Sequence, residues 1–273
     1  MKESALHLKH LVKPGEKFRL KDVDPDDTSP YKDKKEVREL LAADKADMVK
    51  LQELLYAEGK HSLLVVLQAM DTGGKDGTIA HVMDGVNPQG CVVTPFKVPT
   101  PEELAHDYLW RIHQVVPPRR MIGIFNRSHY EDVLIVRVHS LVPNTVWSQR
   151  YEQINQFEKH LNENGVTILK FFLYISREEQ KERLQARLDD PTKQWKFNVG
   201  DLKERELWDQ YTAAYEDAIN LTSMPWAPWY VVPANRKWYR NLVVARVIVE
   251  TLRGFDMHWP EPADDLSKVV IPD

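Results

Sequence analysis

The sequence predicts an α/β fold, a parallel five-stranded sheet covered by helices on both faces, and three observations predict it. From residue 62 onward, five short apolar runs alternate with longer segments of helical periodicity, the order expected when each parallel strand is followed by a crossover helix. The first apolar run leads into a glycine-rich turn and then a lysine, which is how a buried strand is fed into an anion-binding helix N-terminus. Polar and charged residues collect just after the runs, and in such sheets ligands bind at the carboxyl ends of the strands.

The elements follow in order. Residues 1–30 are polar and charge-mixed, with turn signals at Pro14-Gly15 and Asp24-Pro25-Asp26-Asp27-Thr28, and read as an arm without its own core. Residues 34–56 have helical spacing: Val37, Leu40, Leu41, Met48, Leu51, Leu54 and Leu55 fall on one broad face. Strands are expected at 63–68, 91–96, 121–125, 167–175 and 229–232, with helices at 77–86, 101–115, 146–164, 177–188, 202–221 and 238–253. The expected organisation is a single domain: an arm and helix over 1–60 packed on a core of 61–273, which includes a lid at about 177–200.

Composition narrows the class. The 42% hydrophobic content over 273 residues is ample for a sizeable core. A net charge of −4 argues against a surface built as a footprint for nucleic acid. The single Cys91, in an apolar run, excludes an intramolecular disulfide and reads as a buried, inert thiol. Met1-Lys2-Glu3-Ser4 begins no apolar block and the longest apolar runs are far too short to span a bilayer. The expectation is a cytoplasmic protein with no membrane partner.

The chemistry starts at Gln68-Ala69-Met70-Asp71-Thr72-Gly73-Gly74-Lys75-Asp76-Gly77-Thr78. Glycines let the backbone curl so that several N–H groups face one polyanion, while Lys75 adds a full positive charge. Gly73, Gly74, Asp76, Gly77 and Thr78 are therefore phosphate-binding candidates. Against the common G-x-x-x-x-G-K-[ST] pattern, Ala69 replaces the first glycine and Asp76 replaces the hydroxyl residue that holds Mg²⁺. Asp71 is the internal carboxylate that could hold a hard cation or orient a phosphoryl acceptor. A plain glycine turn is outweighed by the apolar strand before it and the lysine after it.

After the third strand comes Asn126-Arg127-Ser128-His129-Tyr130-Glu131-Asp132. Arg127 can bind phosphate bidentately, and Asp132 is a candidate for Mg²⁺ or a ribose hydroxyl. Arg183 and Arg187 lie one helical turn apart and lead into Asp190-Pro191-Thr192-Lys193-Gln194-Trp195-Lys196. A cationic helix closing into a proline-broken turn reads as a kinase lid that neutralises a transferring phosphoryl group and excludes water. Trp195 is the one tryptophan expected near a ligand, and His129 the one histidine.

These residues resemble the polyphosphate kinase 2 family, class III. The resemblance is carried by 67–77, by Phe125-Asn126-Arg127-Ser128-His129-Tyr130-Glu131-Asp132-Val133, by Arg183, Arg187 and the lid, by Lys97-Val98-Pro99-Thr100-Pro101, and by Val12-Lys13-Pro14-Gly15. It covers nearly the whole chain. Asn126, His129 and Glu131 depart from the D-R-S-W-Y-N pattern of other classes, each in the class III direction. The resemblance implies a P-loop αβα sandwich related to thymidylate kinase, with a helical lid and an N-terminal helical extension. It also implies Mg²⁺, with Mn²⁺ as a substitute, inorganic polyphosphate as donor, AMP, ADP and ATP with guanine nucleotides as further partners, and a homodimer or homotetramer. On that basis Asp71, Lys75, Arg127, Glu131, Asp132, Arg183 and Arg187 are the expected catalytic set and Asp71 and Asp132 the metal ligands. Lys97 and Arg111 line the polyphosphate track, and Asn126, His129, Lys193, Trp195 and Lys196 contact the nucleotide. The rivals are an ATP-dependent nucleotide or small-molecule kinase and a non-catalytic nucleotide sensor; the missing hydroxyl after Lys75 counts against both.

Overall fold

The computed structural model describes residues 6–272, so Met1-Lys2-Glu3-Ser4 lie outside the described residues. Strands β2 (Ser62–Gln68), β3 (Cys91–Pro95), β4 (Ile122–Asn126), β5 (Val166–Tyr174) and β6 (Trp229–Pro233) form the five parallel strands. A sixth, β1 (Leu11–Val12), adds antiparallel to β6, giving the order β1-β6-β5-β2-β4-β3. The expected count of five misses this strand because two residues carry no readable period. Its supports are long-range: Ser223 Oγ donates to Val12 O at 2.7 Å and Leu20 N donates to Glu216 at 2.8 Å.

The sheet is filled from both sides, and β2 shows why. Leu63, Val65 and Leu67 face one core while Leu64 and Val66 face the other, as the two-residue period of a strand dictates. Burying each such side chain contributes about 1.5–3 kcal/mol. The first core is closed by α1 (Lys34–Glu58) and the last long helix (Lys237–Arg253), which pack along each other. α1 starts where Asp33 accepts from the N–H groups of Lys35 and Glu36, and it stops at Gly59, whose φ of 73° is left-handed. The second core is closed by Arg150–Glu163 and Trp208–Thr222.

Three expected helices are broken, that over 146–164 only near its start, where Asn144–Trp147 is set off from Arg150–Glu163. Over 101–115 the chain makes only the turns Pro101–Leu104 and Trp110–His113, because the Asp107 carboxylate captures the N–H of Leu109 at 2.9 Å and starts a new turn. Over 202–221 the pattern is split at Leu207 into Gly200–Glu206 and Trp208–Thr222. Cys91 is half-buried, and burial pushes its thiol up to about 11, in line with an inert role. No helix among the described residues is long and apolar enough to cross a membrane.

β2 lies between β4 and β5, so the chain winds away from it in both directions. Its carboxyl end is therefore the switch point of the sheet, where the loops of both halves diverge and leave a crevice.

Candidate active site

The glycine-rich turn occupies that crevice. β2 ends at Gln68, and α2 (Lys75–Val82) begins directly after Gly74. Between them the backbone takes left-handed values at Thr72 (φ 63°) and Gly74 (φ 98°). A threonine held there costs on the order of 1–3 kcal/mol, and the surrounding contacts sustain it. α3 (Arg177–Asp189) braces the loop: Gln180 Nε2 donates to Asp71 O at 3.1 Å and Arg183 Nη1 donates to Thr72 O at 3.0 Å. With those carbonyls occupied, the first N–H groups of α2, which have no acceptor inside the helix, are the loop's remaining polar capacity.

A cleft of about 590 Å³ opens over the loop. Gly73, Gly74, Lys75, Asp76 and Gly77 line it from below, Asn126 and Arg127 from the end of β4, and Lys97 from beyond β3. Arg187, Lys193, Trp195 and Lys196 line it from the lid. Asp71, Arg127, Asn198 and Asp201 also line a smaller cavity of about 230 Å³, whose walls include Glu131, Glu204, Trp208 and Tyr211. The two spaces therefore meet at Asp71 and Arg127: one is cationic, the other rich in carboxylates.

Charges at this junction are coupled. Arg127, with its own left-handed φ of 64°, reaches Asp71 Oδ1 at 3.3 Å. Lys75 Nζ donates to Ala69 O at 3.2 Å; burial and the neighbouring Arg127 hold this ammonium below the ordinary lysine range. Burial pushes the Glu131 carboxyl up, against the pull of Arg127 and Lys75. Asp201 is pushed up by burial and by the Asp71 charge. Carboxyls with raised pKa values gathered opposite an arginine and a lysine are poised to trade protons or counter-charge with an anionic ligand.

Several expected residues stand elsewhere. Asp132 does not join Asp71. It pairs with Arg150 at 2.8 Å in a separate hollow, where burial pushes its carboxyl up to about 6. The single 3₁₀ turn His129–Asp132 explains the divergence, since side chains one residue apart point about 120° apart there. Arg111 lies in the same hollow and not in the cleft; it donates to Lys97 O at 3.0 Å and so fixes the backbone that carries Lys97. The Thr78 hydroxyl is used inside the helix, donating to Gly74 O at 3.0 Å. Asn126 Nδ2 donates to Asp76 Oδ1 at 2.6 Å, tying the two cleft-lining turns together. Arg183 spreads its donors over Thr72 O, Ala234 O and Glu179, so it reaches the loop from behind.

His129 is a core residue. Its Nε2 lies 3.2 Å from Glu158 Oε1, within a fully buried set in which Lys170 Nζ donates to Glu158 Oε2 at 2.6 Å and to Tyr130 Oη at 2.7 Å. Tyr130 Oη in turn donates to Glu158 Oε1 at 2.9 Å. Burial pulls the Lys170 ammonium down to about 8. Burial would raise the Glu158 carboxyl, but Lys170 and His129 outweigh it and hold it low. The pair is charged at neutral pH and anchors the turn that presents Arg127 and Glu131.

Sequence reasoning missed Gln180, Asp201, Glu204, Trp208 and Tyr211 as wall residues. Gln180 shares a face with Arg183 and Arg187 at i, i+3 and i+7, a signal that could have found it. Trp208 lies outside the expectation that placed only Trp195 near a ligand, and nothing in its local pattern distinguishes it.

The chain that carries this site is similar to known proteins. The family model described as Polyphosphate kinase 2 matches residues 31–259. The chain is 58% identical over 264 residues to an AMP/ADP-polyphosphate phosphotransferase of Meiothermus ruber, covering 96% of this chain and 99% of that protein. It is 47% identical over 253 residues to an ADP-polyphosphate phosphotransferase of Rhodopseudomonas palustris, covering 88% of each. The crystal structure of polyphosphate kinase 2 from Arthrobacter aurescens TC1 superposes with a TM-score of 0.93 at 46% identity, covering 98% of this chain and 95% of that one.

Proposed function

The chain belongs to the polyphosphate kinase 2 family, and on that footing we propose that it transfers the terminal phosphoryl group of inorganic polyphosphate to AMP and to ADP. The observation that carries this reading is the junction of two unlike spaces at Asp71 and Arg127: a lysine- and arginine-lined cleft of about 590 Å³ for the polyanion, and a carboxylate-walled cavity for the acceptor.

Polyphosphate lies along Lys97, the loop and the lid, and the nucleotide phosphate enters past Glu131. An oxygen of the acceptor phosphate attacks the terminal phosphorus in line, the bridging P–O bond breaks, and polyphosphate leaves one unit shorter. Acceptor oxygens are already ionised, so no strong base is needed and catalysis is positioning plus charge neutralisation. Lys75, Arg127 and Arg187 face the charge that spreads over the transferring group and the leaving oxygen. Glu131, with its raised pKa, can meet an anionic phosphate with reduced repulsion, which supports AMP as well as ADP as acceptor. Lys193, Trp195 and Lys196 cover the reacting groups.

The donor set fits Mg²⁺ at Asp71 and not at Asp132. Asp71 uses one carboxylate oxygen for Arg127, leaving Oδ2 without a hydrogen bond among the described residues, beside Asp201. Mg²⁺ commonly takes one or two carboxylates plus substrate phosphates and water, and Asp71 and Asp201 are the carboxylates that line both spaces. Bound there, the ion supplies charge neutralisation for the phosphates. Assembly as a homodimer or homotetramer completes the reading, supported by the exposed Val92 and Val93 on the open edge strand β3, and the cytoplasm is the compartment proposed for it.

The test is formation of ADP and ATP from AMP plus long-chain polyphosphate, Mg²⁺-dependent and without added ATP, beside Lys75→Ala. Product from both acceptors, lost in the variant, is the expected result. A folded protein that binds nucleotide but forms no product without ATP would instead be an ATP-dependent kinase or a sensor.

A further inference from the structure

Arg240 is an arginine that the phosphate loop touches and that no carboxylate among the described residues balances. It lies in the first turns of the helix Lys237–Arg253 and is 2% exposed. Its Nε and Nη2 both donate to one neutral acceptor, Asn241 Oδ1, at 3.1 and 2.8 Å. Nη1 makes no hydrogen bond among the described residues, and it faces the loop: a Cβ built on Gly74 would stand 2.1 Å from it. A Cβ built on Gly77 would stand 3.7 Å from Nη2. The guanidinium thus packs directly under the bend where the loop becomes α2.

The same helix shows what a buried arginine receives when its role is structural. Arg246, itself buried, donates through Nε to both oxygens of Asp44, at 2.9 and 3.0 Å; even the exposed Arg253 at the far end of the helix pairs with Asp47 and Glu250. Arg240 instead has Arg183 as its charged neighbour, whose Nη1 is 3.6 Å from the same point on Gly74. It also sits at a helix N-terminus, where the dipole disfavours a cation. Burial and Arg183 pull it down to about 10, so it stays charged at neutral pH. A buried charge with only a neutral acceptor and no counter-charge among the described residues is a standing penalty, and a polyanion seated on the loop would offset it.

We propose that Arg240 is a positioning residue of the phosphate loop, the buried counter-charge for the bound polyphosphate, acting through Gly74 and Gly77 from beneath. This rests on the polyphosphate reading of the cleft. The loop then carries cations on both sides: Lys75, Arg127 and Arg187 above, Arg240 below. Its affinity for phosphates is built in part from strain in the empty protein.

The test compares wild type, Arg240→Met and Arg240→Lys by thermal unfolding with and without inorganic tripolyphosphate, and by separate KM values for polyphosphate and AMP. Without ligand, Arg240→Met should unfold at the wild-type temperature or above it. Its dissociation constant for tripolyphosphate should weaken on the order of tenfold to a hundredfold, its KM for AMP should stay within about twofold, and Arg240→Lys should recover part of the loss. If Arg240→Met fails to fold, Arg240→Gln takes its place with the same expectations. A variant that unfolds earlier but binds tripolyphosphate as wild type does would make Arg240 a structural brace and overturn the proposal. If tripolyphosphate leaves wild type unshifted while ADP stabilises it, the polyphosphate reading fails instead, and the same variants titrated with ADP still decide whether Arg240 serves the loop.

Discussion

Replacing Glu158 by Gln isolates the ion pair beneath the turn that carries Arg127 and Glu131. The carboxylate accepts from Lys170 at 2.6 Å and from Tyr130 at 2.9 Å, and Lys170 and Glu158 are both fully buried. The amide keeps the volume but removes the negative charge, leaving an ammonium in an interior with no counter-ion. Breaking a buried pair in this way costs about 3–5 kcal/mol. An unfolding entropy of roughly 2.1 cal/mol/K per residue over 273 residues is about 0.57 kcal/mol/K, so Tm should fall by about 5–9 °C. The assay is thermal unfolding at pH 7 on wild type, Glu158→Gln, Lys170→Met and the double variant. Removing both charges should restore a large part of the loss, because the penalty belongs to the orphaned partner. A drop in Glu158→Gln of less than about 1 kcal/mol, or a double variant as unstable as the sum of the singles, would refute the reasoning.

Other predictions concern the arm, the loop and the lid. His10, buried beside Tyr239 at 2.8 Å, has its pKa lowered from 6.5 to about 4 by burial and by Lys9. The unfolded chain therefore binds the extra proton between those values; stability is complete above pH 6.5 and should fall by about 2 kcal/mol between pH 7 and 5. Urea unfolding at the two pH values should show that slope in wild type and lose most of it in His10→Gln. Gly74→Ala places a Cβ 2.1 Å from the Arg240 guanidinium at a φ of 98°, and kcat/KM for polyphosphate should drop by about a hundredfold or more; wild-type kinetics would show that the loop can reshape freely. Trp195, 78% exposed on the lid over the polyphosphate cleft, should help cover the donor, so Trp195→Ala should raise the polyphosphate KM several-fold, on the order of 1 kcal/mol of lost contact, with the nucleotide KM and Tm unchanged. An altered nucleotide KM beside an unchanged polyphosphate KM would reassign that side chain to the acceptor.

Much of the fold was legible because strands buried on both faces write continuous apolar runs. All five parallel strands lie within a residue or so of where those runs placed them. The loop was legible for a similar reason: glycines and a lysine after such a strand have few other uses. What escaped was set by contacts distant in sequence. β1 exists because β6 offers it an edge, and no local signal in Leu11-Val12 could announce that. Asp132 and Glu131 are neighbours in sequence, yet a 3₁₀ turn sends one to Arg150 and the other toward Arg127. His129 looked available because it sits on a polar turn; Glu158 and Lys170, which claim it, come from a helix and a strand far along the chain.

The attachment of Gln180 and Arg183 to the backbone of Asp71 and Thr72 has a mechanical consequence. It makes the base of the lid helix a fixed fulcrum. Swinging the whole helix would drag the loop carbonyls with it, so travel is confined to the stretch beyond Asp189, where Pro191 interrupts the helix and the side chains are exposed. Any adjustment of Lys193, Trp195 and Lys196 over the cleft can therefore leave the backbone of Asp71 and Thr72 undisturbed.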